Sequence, residues 1–118
     1  MREKNVSLVI GSALNAGFVS GSGRFNYGAE NFKIPASAID KREKIRAVAA
    51  RFGVDLRTAA LQFSAAPDVA VALVVGARSP QQVSENYNSM QTKIAPDFWA
   101  ALRDQQLIDA NAAIPQQP

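Results

Sequence analysis

Two runs of apolar residues along the chain predict two β-strands. Residues 6–10 are β-branched and mostly apolar, and residues 69–75 are wholly apolar. Near-continuous apolar runs of this length are typical of strands buried on both faces of a parallel sheet. Small residues follow each run, with Gly11 after the first and Gly76 after the second. We therefore expect two central parallel strands, each leading into a loop of small residues.

Between the two runs, the spacing of apolar residues predicts a pair of helices. In both helices, apolar side chains recur at positions i, i+3, i+4 and i+7. These stripes comprise Ile45, Val48, Ala49 and Phe52, followed by Leu56, Ala59, Ala60 and Phe63. Ser37 with Asp40 resembles a capping box for the first helix, and Gly53 is suited to end it. Asp55 can cap the second helix, which Pro67 ends.

Helix-start signals follow the second apolar run. Ser79, Pro80 and Gln82 stand where a capping residue, a first-turn proline and a returning glutamine are favoured. One face of this helix holds Val83, Asn86, Tyr87 and Met90. A last helix begins at Pro96 and fades near Ile108. Its apolar residues are Phe98, Trp99, Ala101 and Leu102, which together with Phe52 and Phe63 we expect in the core. The polar tail is expected to fray.

The order of these elements is that of alternating β and α units around a parallel sheet, which places the chain in the α/β class. The predicted segments are a strand with its small-residue loop (6–17), an aperiodic loop (18–36), a helix pair (37–66), a second strand (69–77), two further helices (79–110) and a tail (111–118). Two parallel strands alone would leave both apolar edges unpaired. We therefore expect the chain to be part of a larger structure.

Composition narrows the chemistry that this chain can perform. Its 118 residues are 47% hydrophobic and 19% charged, and they include neither cysteine nor histidine. That absence excludes disulfides, thiol nucleophiles, Ser-His-Asp triads and Cys/His zinc sites, and we expect no metal site. Because no apolar run is long enough to span a bilayer and no signal peptide is evident, we expect a cytoplasmic protein without a membrane partner.

The charge pattern indicates whether the chain binds nucleic acid. The net charge of +3 comes from 13 Lys and Arg residues against 10 Asp and Glu residues. Basic residues cluster between Lys41 and Arg57, with acidic residues among them. A nucleic-acid surface and a solvated helix face both fit such a cluster, but the lack of interleaved aromatic platforms favours the solvated face. We therefore expect no nucleic-acid partner.

Two loops could bind an anion. Small residues at 12–17 would let backbone N–H groups approach a phosphate, although a flexible turn explains the same composition. Residues 76–86 lead from a strand into a helix start, where the helix dipole and the Arg78 guanidinium favour phosphate. Helix capping beside a solvated arginine explains this segment equally well. In the aperiodic loop, Phe25 and Tyr27 could line a substrate pocket or pack the loop down.

Several of these segments resemble parts of the aldo-keto reductase family. Residues 71–86, with the sequence VALVVGARSPQQVSEN, resemble that family's carboxyl-terminal cofactor motif. Residues 59–63 followed by Pro67 resemble the helix before its last barrel strand, and residues 12–17 resemble the loop after its seventh strand. Residues 96–99 with Leu102 resemble the ending of the aldose 1-dehydrogenase branch, which includes D-threo-aldose (L-fucose) and pyridoxal dehydrogenases. The resemblance covers nearly the whole chain, from Val6 to Pro115.

The resemblance implies a partial (β/α)8 TIM barrel, namely the last two βα units and the carboxyl-terminal helix. It also implies an oxidoreductase that passes hydride between an aldose, or a related alcohol or aldehyde, and NADP or NAD. The nicotinamide dinucleotide and a small sugar or aldehyde would bind the complete barrel. The implied cofactor residues are Ser12, Leu14, Ala16 and Gly17 along the pyrophosphate, Gly76, Ala77 and Arg78 at the adenosine ribose or its 2′-phosphate, and Gln82, Glu85 and Asn86 at the adenine.

The chain also departs from the family pattern. Gln82 stands where many NADP-preferring members have an arginine, which leaves the choice between NADP and NAD open, and Gly11 stands where many have a tyrosine stacked on the nicotinamide. The family's catalytic aspartate, tyrosine, lysine and histidine belong to the first half of the barrel, and Tyr27 and Tyr87 match other positions. We therefore expect no catalytic residue here and a carboxyl-terminal fragment that is inactive alone. The alternative is a non-catalytic domain that binds nucleotide or pairs its strand edges with a second copy or a separate amino-terminal half.

Overall fold

The structure is a computed structural model, and it describes residues 2–11, 13–14, 19 and 34–115. Its elements in chain order are a 3₁₀ turn at Arg2–Lys4, strand β1 (Leu8–Gly11), helices α1 (Ala36–Phe52) and α2 (Leu56–Ala65), strand β2 (Ala70–Val74), and helices α3 (Pro80–Gln91) and α4 (Pro96–Asp104). Most of the predicted aperiodic loop therefore lies outside the described residues. Among the described helices, none combines the length and the hydropathy needed to cross a bilayer.

The two predicted strands pair with each other in parallel. Ile10 lies opposite Leu73, and Gly11 lies opposite Val74. The prediction that both strands are buried on both faces is wrong within the described part of the chain, because Val9, Val71 and Val74 are 60%, 64% and 63% exposed. The physical reason is incomplete cover, because α2 is the one described helix that packs extensively against a strand.

A helical core lies beside the strands. The residues that form it come from α1, α2, α4 and the segments flanking α4. They are Val48, Ala49, Ala59, Ile94, Phe98, Trp99, Leu102 and Leu107. Phe98 and Trp99 are completely or almost completely buried, and Phe52 and Phe63 pack against the same cluster. The predicted aromatic core is thus confirmed.

Aromatic contacts connect the three helices of this core. The rings of Phe98 and Trp99 lie 4.9 Å apart, edge to face. Phe52 of α1 meets Phe98 edge to face at 6.0 Å, and Phe63 of α2 stacks on Trp99 at 6.0 Å. Such pairs contribute about 0.5–1.5 kcal/mol each beyond the burial of their area. These four rings, which we call the aromatic cluster, fix α4 between α1 and α2.

The helix starts follow local signals with one exception. Asp55 caps α2 as predicted, since its Oδ2 accepts a hydrogen bond from the backbone N–H of Thr58 at 3.3 Å. The predicted capping box of Ser37 and Asp40 is wrong, because α1 begins at Ala36 and Ser37 lies inside the helix. Pro35 occupies the cap position without a side-chain bond. The carbonyl oxygen of Pro35 accepts from the N–H groups of Ala38 and Ile39 instead.

The carboxyl end of the chain differs more from the prediction. Helix α4 ends at Asp104 rather than fading near Ile108, because Gln106 adopts a φ of 57° and turns the chain back. Leu107 then donates its N–H to the carbonyl of Leu102 and buries its side chain. The tail is not frayed over residues 111–115, since Arg103 Nη2 donates to the carbonyl of Ala112 at 2.7 Å and Ile114 packs on the core.

Gly53 ends α1 as predicted, and its conformation gives a stability test. Its φ of 66° is left-handed, and nothing lies within 4 Å of where a Cβ would be. Gly53→Ala should therefore lower the free energy of unfolding by about 1 kcal/mol through backbone strain alone. Urea denaturation followed by Trp99 emission measures the change.

Gly11→Ala is the matched control for this prediction. Gly11 also has open space around its Cα, and it does not adopt a positive φ. We expect its substitution to change the free energy of unfolding by less than about 0.5 kcal/mol. Equal losses at Gly11 and Gly53 would contradict the conformational explanation.

Candidate functional site

The carboxyl ends of β1 and β2 lie side by side. Because the strands are parallel and Gly11 pairs with Val74, the segments that follow them leave from the same edge of the sheet. Ligands of α/β proteins bind at the carboxyl ends of parallel strands. Leu14, one of the predicted cofactor residues, lies half-buried in the turn after β1, where its carbonyl oxygen accepts from the N–H of Val19 at 3.3 Å. This edge is the candidate site.

Residues 76–78, which we call the connecting segment, lead from β2 into α3 and are all exposed. Ser79 caps α3 as predicted, since its Oγ accepts from the N–H of Gln82 at 3.2 Å, and Pro80 begins the helix. The N–H of Val83 donates to the Ser79 carbonyl. Since the chain itself satisfies these two N–H groups, an anion at this helix start would bind mainly through the Arg78 side chain.

Two side chains of α3 hold the connecting segment. Gln82 Oε1 accepts from the backbone N–H of Arg78 at 2.6 Å, and Asn86 Nδ2 donates to the carbonyl of Gly76 at 3.5 Å. Gln82 and Asn86 are one helical turn apart, so they share a face of α3. The glutamine predicted to return to the capping residue thus reaches one residue further back. Together the two bonds attach both ends of the connecting segment to the helix.

Glu85 lies on a different side of α3 and uses both carboxylate oxygens within the chain. Oε2 accepts from Arg57 Nη1 of α2 at 2.7 Å, and Oε1 accepts from Gln81 Nε2 at 3.1 Å. The Arg57 guanidinium and the Gln81 amide hold the pKa of this carboxyl below its ordinary value. Glu85 therefore connects α3 to α2.

Arg57 belongs to the helix face that the sequence predicts to be solvated, and for this residue the prediction is wrong. Its side chain is only 27% exposed, because it reaches from α2 to Glu85 of α3. Arg42 also departs from the prediction, because its side chain is 17% exposed. The predicted face is solvated where Lys44 pairs with Asp40 and Arg46 pairs with Glu43 on the surface of α1. No neighbouring aromatic residue or glycine sets Arg57 apart from the other basic residues of this face. Its different environment could therefore not be predicted from spacing along the sequence.

Further hydrogen bonds fix α3 on α2 near its carboxyl end. Gln62 Nε2 donates to the carbonyls of Ser89 and Thr92 at 2.7 Å and 2.6 Å, and Thr58 Oγ1 donates to Ser89 Oγ at 3.0 Å. Gln62, Thr58 and Ser89 are all buried. Sequence reasoning missed these contacts, although a glutamine among the apolar residues of α2 is itself a signal, because buried polar groups require partners.

The apolar side of α3 remains largely uncovered by the described residues. Val83, Tyr87 and Met90, predicted to share one face, are 58%, 65% and 41% exposed. Tyr87 and Met90 line a cavity of about 420 Å³ whose other walls include Leu61 of α2 and residues of β2. This apolar cavity lies along the body of β2, whereas the connecting segment lies at its carboxyl end.

The described structure thus brings together part of the predicted cofactor set. Hydrogen bonds join Arg78 to Gln82 and Gly76 to Asn86, and Ala77 lies between Gly76 and Arg78. Glu85 belongs to the α2 contact instead. The remaining predicted residues lie outside the described part of the chain: Ser12, Ala16 and Gly17 for the cofactor, and Phe25 and Tyr27 for the substrate.

Comparison with known proteins identifies the family. The model of the aldo/keto reductase family matches residues 1–106. The chain belongs to the aldo/keto reductase family. A pyridoxal 4-dehydrogenase from Microbacterium luteolum is 27% identical over 111 residues, which are 91% of this chain and 31% of that protein. A D-threo-aldose 1-dehydrogenase from a Pseudomonas species is 29% identical over 111 residues, which are 90% of this chain and 32% of that protein.

Membership of the aldo/keto reductase family gives the fold and the cofactor class. The family implies a (β/α)8 barrel, and the two parallel strands and four α-helices of the described residues are consistent with part of one. The chain spans about a third of the length of these two relatives. The family also implies a nicotinamide cofactor, without distinguishing NAD from NADP. In such barrels the active site lies at the carboxyl ends of the strands, the same edge that holds the connecting segment.

The Arg57–Glu85 pair predicts a pH dependence of stability. Because the pKa of Glu85 in the folded chain lies below its ordinary value of 4.5, the ionised carboxylate stabilises the fold above that pH. This contribution is lost as the pH falls through the lowered pKa. Glu85→Gln removes the titrating group, so its free energy of unfolding should fall less than that of the parent chain between about pH 6 and about pH 3.

Glu43→Gln is the matched control, since it removes one carboxylate from an exposed position on α1. Urea denaturation at both pH values gives the comparison. If Glu85→Gln retains the full pH dependence of the parent chain, the ionised carboxylate does not contribute through Arg57.

Proposed function

We propose that this chain supplies the adenosine-phosphate end of the cofactor site of an NAD(P)-dependent aldo/keto reductase. The observation that carries the proposal is the connecting segment itself: it is exposed, bonded to α3 and located where parallel strands end. In this proposal the loop at residues 12–17 borders the pyrophosphate. Gly76, Ala77 and Arg78 border the adenosine ribose, and Asn86 supports them.

Arg78 is the residue we assign to a 2′-phosphate. Its side chain is exposed beside the start of α3, and it forms no salt bridge with the acidic residues that the structure describes. A guanidinium offers several donors arranged to match phosphate oxygens, and the positive end of the helix dipole favours the same anion. NADP carries a phosphate at this position and NAD carries a hydroxyl. Arg78 should therefore favour NADP.

For the reaction, we propose hydride transfer between an aldose, or a related alcohol or aldehyde, and the nicotinamide. The names of the two relatives support this substrate class, since one is a D-threo-aldose dehydrogenase and the other a pyridoxal dehydrogenase. The chain contains no histidine to act as a general acid, and Tyr87 is exposed on the uncovered side of α3. We propose that the catalytic groups come from outside these residues and that the chain alone has no dehydrogenase activity.

A second candidate function is that of a non-catalytic domain that associates with a second copy or with a separate amino-terminal half. The exposed apolar side chains of Val9, Val71 and Val74 favour it, because a two-stranded sheet with uncovered faces is marginally stable alone. The two candidates differ in one observable. A cofactor site requires saturable dinucleotide binding, whereas association by the strands does not.

Arg78→Ala tests the cofactor proposal. Loss of hydrogen bonds to a charged phosphate should weaken NADPH binding by about 10- to 100-fold, while NADH binding should change by less than about 3-fold. Trp99 is the chain's one tryptophan, and energy transfer from it to the bound nicotinamide gives the titration. The titrations are made at low ionic strength to preserve the phosphate contact.

Arg46→Ala is the matched control, because it removes the same charge from the exposed surface of α1. We expect it to leave both affinities unchanged. Equal weakening of NADPH and NADH by Arg78→Ala would contradict the 2′-phosphate assignment. If the parent chain binds neither dinucleotide, the cofactor proposal itself is wrong.

A further inference from the structure

We infer that Gln82 is a positioning residue that favours NADP over NAD by fixing the main chain of Arg78, and that its own side chain does not contact the cofactor. The inference rests on the proposed function, since it concerns how Arg78 is presented to a 2′-phosphate. It differs from the expectation drawn from the sequence, in which Gln82 lies directly against the adenine.

The hydrogen bond of Gln82 carries the argument. Its Oε1 accepts from the backbone N–H of Arg78 at 2.6 Å, so the amide oxygen is already directed at the main chain. Arg78 lies beyond the last residue of β2 and before the first residue of α3, where neither the sheet nor the helix supplies an acceptor for its N–H. Gln82 therefore provides the bond that regular secondary structure would provide elsewhere.

The helix gives this bond its rigidity. The backbone N–H of Gln82 donates to Ser79 Oγ, while its side chain returns to Arg78, so Gln82 is held at both ends. Asn86, one turn later, donates to the carbonyl of Gly76. These two side-chain bonds hold the main chain on the amino-terminal side of the Arg78 Cα, and Ser79, the cap of α3, follows on the other side. The long side chain of Arg78 therefore starts from a fixed point beside the helix start.

The chemistry of position 82 explains why an acceptor matters there. An arginine carries only donors, so it could not accept from the Arg78 N–H, and its charge would repel the neighbouring guanidinium. A glutamate would accept the bond more strongly, but its charge would oppose a 2′-phosphate. Glutamine is long enough to reach Arg78, offers an acceptor and adds no charge. These properties suit a residue that supports a phosphate-binding arginine without touching the phosphate.

Gln82→Met tests the inference, because methionine keeps the length of the side chain and removes the amide acceptor. Without cofactor, the Arg78 amide hydrogen should exchange with solvent about 3- to 10-fold faster than in the parent chain, as measured by NMR. With cofactor, the ratio of NADPH affinity to NADH affinity should fall by about 3- to 10-fold, and NADH affinity should stay within about 2-fold. A residue touching the adenine would weaken both dinucleotides equally.

Two further variants make the result specific. Gln81→Met is the matched control, since Gln81 precedes Gln82 on the helix but donates to Glu85 rather than accepting from Arg78. It should alter neither the exchange of the Arg78 amide nor the affinity ratio. Gln82→Glu keeps an acceptor, so it should retain slow exchange of that amide even though its charge weakens NADPH.

Each outcome has a distinct meaning. Unchanged exchange of the Arg78 amide in Gln82→Met, or equal loss of NADPH and NADH affinity, overturns the inference while leaving the proposed function intact. If the parent chain binds neither dinucleotide, the proposed function fails, and the selectivity assigned to Gln82 fails with it. Faster exchange together with a lower affinity ratio, both absent in Gln81→Met, supports the inference.

Discussion

The packing of Phe98 and Trp99 against Phe52 and Phe63 is the interaction on which the remaining arrangement depends. It joins α4 to α1 and α2, the three helices that form the buried core. Helix α2 then carries both β2 and α3 on its other sides. The start of α3, where the candidate site lies, is therefore positioned by rings that do not belong to the site. A loss of this packing would move the site without touching any of its residues.

Helix α3 is attached by polar contacts rather than by an apolar core, and its residues divide by face. Glu85 binds Arg57 of α2 and also accepts from Gln81, whereas Gln82 and Asn86 bind the connecting segment. Hydrogen bonds depend on direction more than apolar contacts do, so they fix the rotation of the helix as well as its distance. Since a rotation of one residue would move Gln82 and Asn86 away from the connecting segment, the contact with α2 determines which side chains meet that segment.

The sequence was sufficient for most features set by neighbouring residues, although the capping box predicted at Ser37 and Asp40 does not form. The caps at Asp55 and Ser79 and the left-handed Gly53 depend on a few adjacent positions, and the structure has all three. Long-range features were missed or wrong. The pairing of Arg57 with Glu85 joins residues far apart in sequence, and periodicity carries no record of it. The docking of the tail depends in the same way on one hydrogen bond from α4 and the burial of a single isoleucine.

The burial of the strands could not follow from their own composition, because it depends on what covers them. A (β/α)8 barrel gives each strand a neighbour on both edges and a layer of helices outside, which suits apolar runs such as residues 69–75. Within the described residues, by contrast, Val71 and Val74 remain exposed while the helical core is closed. Among the described residues, the strands are therefore incompletely covered, whereas the helical core is closed. The candidate site lies at the junction of these two regions. The connecting segment is bonded to α3, and α3 packs on α2 rather than on the sheet. The segment is therefore attached to the fully packed helical core.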